Sequence, residues 1–121
     1  PTPAALAALS DDTLAACGLG YRLPYIRAAA SRAATDPDWL PSLAALDDGA
    51  LREALLSLTG VGPKIAQCVM LFGFHRMDAF PLDVWMNRVM ERHYPNGFPL
   101  ARYTPYNGVM QQYLFYAIRT E

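Results

Sequence analysis

Leu58-Thr59-Gly60-Val61-Gly62-Pro63-Lys64-Ile65-Ala66-Gln67-Cys68-Val69-Met70-Leu71-Phe72-Gly73-Phe74-His75-Arg76-Met77-Asp78-Ala79-Phe80-Pro81-Leu82-Asp83 is the stretch on which the reading of this chain turns. Two apolar helical patterns meet at Gly60-Val61-Gly62, and Pro63 stands where the second helix begins. Glycines permit a tight reversal and close backbone approach, and proline suits a helix's first turn. The free amides of such a helix start point at an anion, such as a phosphate. Lys64 follows at once, and Asp83 closes the stretch where a further helix begins. The stretch thus pairs an anion-holding turn with an amine and a carboxylate.

Outward from that turn, the chain reads as all α, because Ala, Leu, Arg and Met dominate and strand-like alternation is nearly absent. Thr2-Pro3 opens a first helix, and Ser10-Asp11-Asp12 opens a second that Gly18 ends. A third helix is expected over about Leu23 to Ala34, with Tyr25, Ile26 and Ala29 on one face, until Thr35-Asp36-Pro37 breaks it. Trp39-Leu40 fall in a short following helix or turn. Asp47-Asp48 cap a segment whose Leu51, Leu55 and Leu58 form an apolar stripe into the Gly-Val-Gly turn. Beyond it, Ile65, Val69 and Phe72 form a second stripe, and Asp83 caps a helix that runs to Tyr94. After Tyr94-Pro95-Asn96-Gly97, a last helix spans about Tyr106 to Arg119.

At 121 residues the chain fits one domain, residues 1–121, with a real core. No run of about 18 apolar residues suggests a membrane span. The start has no basic region before a hydrophobic one, so it does not read as a secretory signal. Two cysteines are too few for a disulfide framework or an iron–sulfur cluster, which favours the cytoplasm. The net charge of −1 argues against binding DNA by charge density alone. Backbone amides at a helix start hold a phosphate without changing that charge. His75 and His93 lack metal-ligand spacing. Arg22, Arg76 and Arg88 read first as solvated helix faces.

Leu58-x-Gly60-Val61-Gly62-x-Lys64-x-Ala66, followed by Asp78-Ala79-Phe80-Pro81-Leu82-Asp83-Val84, resembles the helix-hairpin-helix DNA glycosylases. Within that superfamily the chain looks most like the 8-oxoguanine DNA glycosylase/lyases of the bacterial type. The likeness extends from Cys17-Gly18-Leu19-Gly20-Tyr21-Arg22 to Gln111-Gln112-Tyr113-Leu114-Phe115. It implies an all-α helical bundle built around a helix-hairpin-helix motif. It also implies base-excision repair of damaged double-stranded DNA, with base removal followed by β-elimination through a lysine Schiff base. The resembling proteins carry an upstream sheet-containing domain, so the chain is expected to be the catalytic-domain portion without it. Its apolar residues, 53 % of the chain, fit a face meant to be covered by that domain or by a partner chain.

The resemblance places the family's catalytic lysine and aspartate on Lys64 and Asp83. A neutral Lys64 amine would attack C1′ of the deoxyribose, and Asp83 would stabilise the oxocarbenium-like charge on the sugar. Gln111 would read the damaged base's edge, Phe115 would stack on one of its faces, and Cys68 would lie on the other. Gly60, Gly62, Ile65 and Trp85 would hold DNA phosphates. The carbonyls of Leu56, Leu58 and Val61 would hold a monovalent cation, and no other cofactor is implied. Taken singly, the same residues read more plainly. Lys64 is a solvated lysine in a first turn, Asp83 an N-cap, Phe115 and Cys68 core residues, and Gly60-Val61-Gly62 a tight turn between helices. Gln112 could exchange roles with Gln111 if the register slips by one. Two other readings stay open: a non-catalytic DNA-binding module, and a sister glycosylase for another damaged base.

Overall fold

Side-chain caps open several of the helices in the computed structural model, which describes residues 1–120. Up to Gly60 the chain forms one unit. Helix α1, Pro3–Ala8, starts where Thr2 Oγ1 accepts from the Ala5 amide at 3.2 Å. Helix α2, Asp11–Ala16, starts where Ser10 Oγ accepts from the Thr13 amide at 3.2 Å. Gly18, at φ +72°, takes the left-handed turn that ends α2, as expected. A 3-10 turn over Gly20–Arg22 leads into α3, Leu23–Thr35, followed by α4, Trp39–Ala44. Asp47 Oδ1 accepts from the Ala50 amide at 2.8 Å and opens α5, Asp48–Leu56. Each such cap contributes about 1 kcal/mol.

The core of this unit is Leu14, Ala30, Trp39, Leu43, Leu51 and Leu55, with Arg32 lying over the Trp39 ring. The face expected on α3 is corrected. Ile26 and Ala29 are exposed, Tyr25 is half-buried, and Ala30 points inward. Arg27 turns the helix this way. It donates to the carbonyls of Ala7 at 3.0 Å and Leu9 at 2.7 Å, and to the Asp11 carboxylate at 2.7 Å. A positive side chain thereby satisfies the otherwise unpaired carbonyl end of α1 and ties it to α2.

From Val61 onward the chain forms a second unit. Helix α6, Pro63–Cys68, passes directly into a π turn over Val69–Gly73, where the Phe74 amide donates to the Val69 carbonyl at 3.1 Å. The expected stripe of Ile65, Val69 and Phe72 is also corrected: Ile65 and Phe72 are exposed, while Ala66, Met70 and Leu71 are buried. Leu71 turns inward because Gly108 leaves room for it. A Cβ at Gly108 would lie 2.5 Å from Leu71 Cδ1.

Helices α7, Val84–His93, and α9, Asn107–Thr120, complete the unit together with a single-turn α8, Leu100–Tyr103. No sequence signal marked α8, which is too short to show a periodicity. Met86, Val89 and Ile118 form a buried cluster, and Phe80, Leu114 and Phe115 pack against it. Phe98 stacks among Phe80, Tyr94 and Tyr103, with ring centroids 4.8, 5.1 and 5.3 Å away. Among the described residues there is no strand, so the all-α expectation holds. Among the described residues, no helix is long and apolar enough to cross a membrane.

Candidate active site

Lys64 is the second residue of α6 and its side chain is exposed. Gly62 is the N-cap of that helix, with extended backbone at φ −94°. A Cβ built on Gly62 would meet nothing within 4 Å, so neither conformation nor internal packing demands glycine there. The amides of the first helical turn, those of Lys64 and Ile65 among them, have no acceptor within the helix. Ile65 is exposed beside them. Gly60 differs. It sits at φ +82°, and a Cβ would come within 2.3 Å of the Tyr25 ring, so the fold itself requires glycine at that point.

Asp83 is half-buried at the start of α7, where its Oδ1 accepts from the Met86 amide at 2.9 Å. That bond fixes one carboxylate oxygen and leaves the other without a role in the cap. Trp85, in the same first turn, is partly exposed, with the Arg88 guanidinium 4.7 Å from its ring centroid.

The segment that delivers Asp83, residues 77–83, has no regular secondary structure and is held from two sides. On one side lies the start of α9. The Gly108 amide donates to the Met77 carbonyl at 2.8 Å. Asn107, buried, donates its side-chain amide to the Asp78 carboxylate, which also accepts from Thr104 Oγ1 at 3.1 Å. A Cβ on Gly108 would fall 2.5 Å from the Ala79 carbonyl oxygen, so this contact tolerates glycine alone. Gln111 Nε2 then donates to the Pro81 carbonyl at 3.0 Å. On the other side, the Phe80 amide donates to Gln67 Oε1, on α6, at 3.0 Å.

Gln111 and Phe115 share a face of α9, as their spacing predicts. Gln111 is 3 % exposed, and both ends of its amide are engaged, Nε2 with Pro81 and Oε1 with the Gln112 side chain. Phe115 packs against the Met86 cluster, with the Arg119 guanidinium 5.4 Å from its ring centroid. Cys68 is half-buried and unpaired at the end of α6. None of these three lines the open groove of about 590 Å³ nearby, whose walls include Phe72, His75, Met77, Gln112, Tyr113 and Tyr116. The groove thus meets Gln112, the neighbour, rather than Gln111.

Leu56 ends α5, Leu58 follows it, and Val61 opens the second unit. Carbonyls at a helix's C-terminal end lack intrahelical partners and carry partial negative charge, the donor type a monovalent cation takes. Among the described residues, no group of three or more His, Cys, Asp or Glu side chains could hold a metal ion.

Sequence reasoning overlooked Gln67, Asn107 and Gly108, and gave Asp78 no role. Each acts through a partner distant in the chain, so no local period marks it. The Asn107-Gly108 pair was the available signal, since it falls just inside the expected last helix, where a turn-forming pair is out of place.

No family model matches the chain. It is 44 % identical over 86 residues to the probable N-glycosylase/DNA lyase of Methanothermobacter thermautotrophicus, an alignment covering 71 % of this chain and 27 % of that protein. Its structure resembles that of MBOgg1 in complex with a low-affinity DNA ligand, with a TM-score of 0.86 and 35 % identity, covering 99 % of this chain and 45 % of that one. A second likeness is to the Clostridium acetobutylicum 8-oxoguanine glycosylase/lyase bound to duplex DNA with cytosine opposite 8-oxoguanine. There the TM-score is 0.84 and the identity 29 %, covering 99 % of this chain and 44 % of that one. The chain thus spans about a quarter of the curated relative and under half of the solved neighbours. The fold, the Gly-Val-Gly-Pro-Lys turn and these likenesses agree: the chain belongs to the helix-hairpin-helix DNA glycosylase superfamily.

Proposed function

We propose that this chain carries the lysine and the aspartate of a base-excision repair enzyme, an 8-oxoguanine DNA glycosylase with an associated lyase step. The observation that carries the reading is the placing of Lys64 and Asp83. Both stand at helix starts of one unit, on segments joined by the Gln67–Phe80 hydrogen bond. The glycosidic bond of a flipped nucleotide breaks with its electron pair leaving on the base, while the Asp83 carboxylate faces the positive charge that develops on the sugar. The Lys64 Nζ lone pair bonds to C1′, the amine gives up a proton, and opening of the sugar ring leaves an iminium ion. That cation makes the 2′ proton acidic. Its loss expels the 3′ phosphate and cuts the strand.

Duplex DNA is the proposed partner, with phosphates at the first turn of α6, where Gly62 leaves open space, and at Trp85. Gln111 would exchange its Pro81 bond for the edge of the base, with Phe115 and Cys68 on the faces. Gly60 would act by setting the turn. Such a partner puts the protein in the compartment that holds the DNA.

Borohydride trapping on an abasic duplex tests the reading, because a lysine nucleophile leaves a covalent adduct and a mere DNA-binding module does not. Excision from an 8-oxoguanine duplex compared with other damaged bases then separates this substrate from those of sister enzymes.

A further inference from the structure

The carboxylate and the amine of this site stand on different segments, and their separation depends on what joins those segments. Gln67 stands one helical turn after Lys64, on the same side of α6. Phe80 stands three residues before Asp83. Because residues 77–83 form neither helix nor ladder, the half-buried Phe80 amide has no acceptor within its own segment's regular structure. Gln67 Oε1 supplies one, at 3.0 Å. The very next carbonyl, that of Pro81, is taken by Gln111 from α9. Adjacent backbone groups are thus pulled in different directions, one towards the lysine's helix and one towards the last helix.

We propose that Gln67 is a positioning residue for the chemistry assigned above: its Oε1 holds the segment that carries Asp83 against the helix that carries Lys64. The inference rests on that functional reading for its consequence, but its structural half stands alone. What Gln67 must provide is an acceptor at the end of a side chain of this length. Gln67→Glu keeps that acceptor, Gln67→Met keeps the shape without it, and Gln67→Asn keeps an amide too short to reach.

The first measurement is amide hydrogen exchange on the whole chain. With Gln67→Met, exchange at Phe80 should speed up about tenfold, and exchange at Met86, the amide held by Asp83, should rise severalfold with it. Gln67→Glu should leave both near wild type. If Met86 does not respond, Gln67 serves Phe80 locally and the proposal falls. Should Gln67→Met fail to fold, Gln67→Asn gives the same comparison.

The second measurement is single-turnover excision of 8-oxoguanine. Gln67→Met should slow it on the order of tenfold to a hundredfold with little change in duplex affinity, and Gln67→Glu should restore most of the rate. In an Asp83→Asn background, Gln67→Met should cost little more. Full additivity of the two changes would mean that Gln67 does not act through Asp83, and would overturn the proposal. A wild-type chain that neither excises nor traps refutes the functional reading instead, and the Met86 exchange then decides the positioning by itself.

Discussion

Gln111 donates its side-chain amide to the carbonyl of Pro81, two residues before Asp83, at 3.0 Å. The residue proposed to read the base is therefore also a fastener of the segment that carries the carboxylate. To present both a donor and an acceptor to a purine edge, Gln111 must release Pro81. Substrate recognition and the placing of Asp83 then share one side chain.

Replacing Gln111 by alanine should blur the choice between 8-oxoguanine and undamaged purines by about 1–3 kcal/mol, since the base edge is left unpaired in a desolvated pocket. Single-turnover excision of each base is the measurement. Gln112, exposed and facing the groove, is the control. If Gln112→Ala loses the preference and Gln111→Ala keeps it, base reading belongs to the groove. Phe115→Ala should instead slow excision of every base, through lost stacking of a similar size.

Lys64→Gln should abolish borohydride trapping. Its side chain is exposed, so the fold and the affinity for damaged duplex should change little. A persistent adduct, located by mass spectrometry on another amine, would remove Lys64 from the mechanism.

Asp83→Asn keeps an oxygen for the Met86 amide, so a thermal melt should shift by a few tenths of a kcal/mol at most. Excision, by contrast, should fall on the order of a hundredfold, because the charge opposite the sugar is gone. A variant that melts early yet excises normally when folded would make Asp83 a helix cap and nothing more.

Three glycines should separate folding from binding. Gly108→Ala pushes a methyl group into the Ala79 carbonyl and Leu71, and should cost about 1–3 kcal/mol in a melt. Gly60→Ala meets both the Tyr25 ring and an unfavourable φ, and should be at least as harmful. Gly62→Ala projects into open space and should fold normally. Its expected effect is weaker duplex binding alone, read by fluorescence anisotropy.

Local chemistry made much of this fold legible. Ser, Thr and Asp caps and the glycine stops gave helix starts and ends within a residue or two, because each rests on neighbours three or four places away. The inward faces of α3 and α6 were harder to read. On α3 the deciding contact is Arg27 reaching back to Ala7 and Leu9, and on α6 it is Leu71 lying in the space at Gly108. Both partners are far along the chain, and periodicity carries no trace of them. The same holds for the candidate site. The helix starts that carry Lys64 and Asp83 were legible from motif and cap, whereas the bonds through Gln67, Asn107 and Gln111 that hold the aspartate's segment arise only once the chain is folded.

The π turn at Val69–Gly73 has a consequence for comparing and redesigning such chains. A single π turn amounts to one extra amino acid accommodated within an otherwise ordinary helix. Deleting one residue there should let the helix close into uninterrupted α geometry. Residues after the turn would keep nearly the same direction, because the bulge already absorbs the extra residue, so Met77 should still reach the Gly108 amide and Asp83 should stay in line. A one-residue gap placed in this turn is therefore the one that an alignment can carry without displacing the side chains from Phe74 to Asp83, whereas the same gap within α6 would turn them by about 100°.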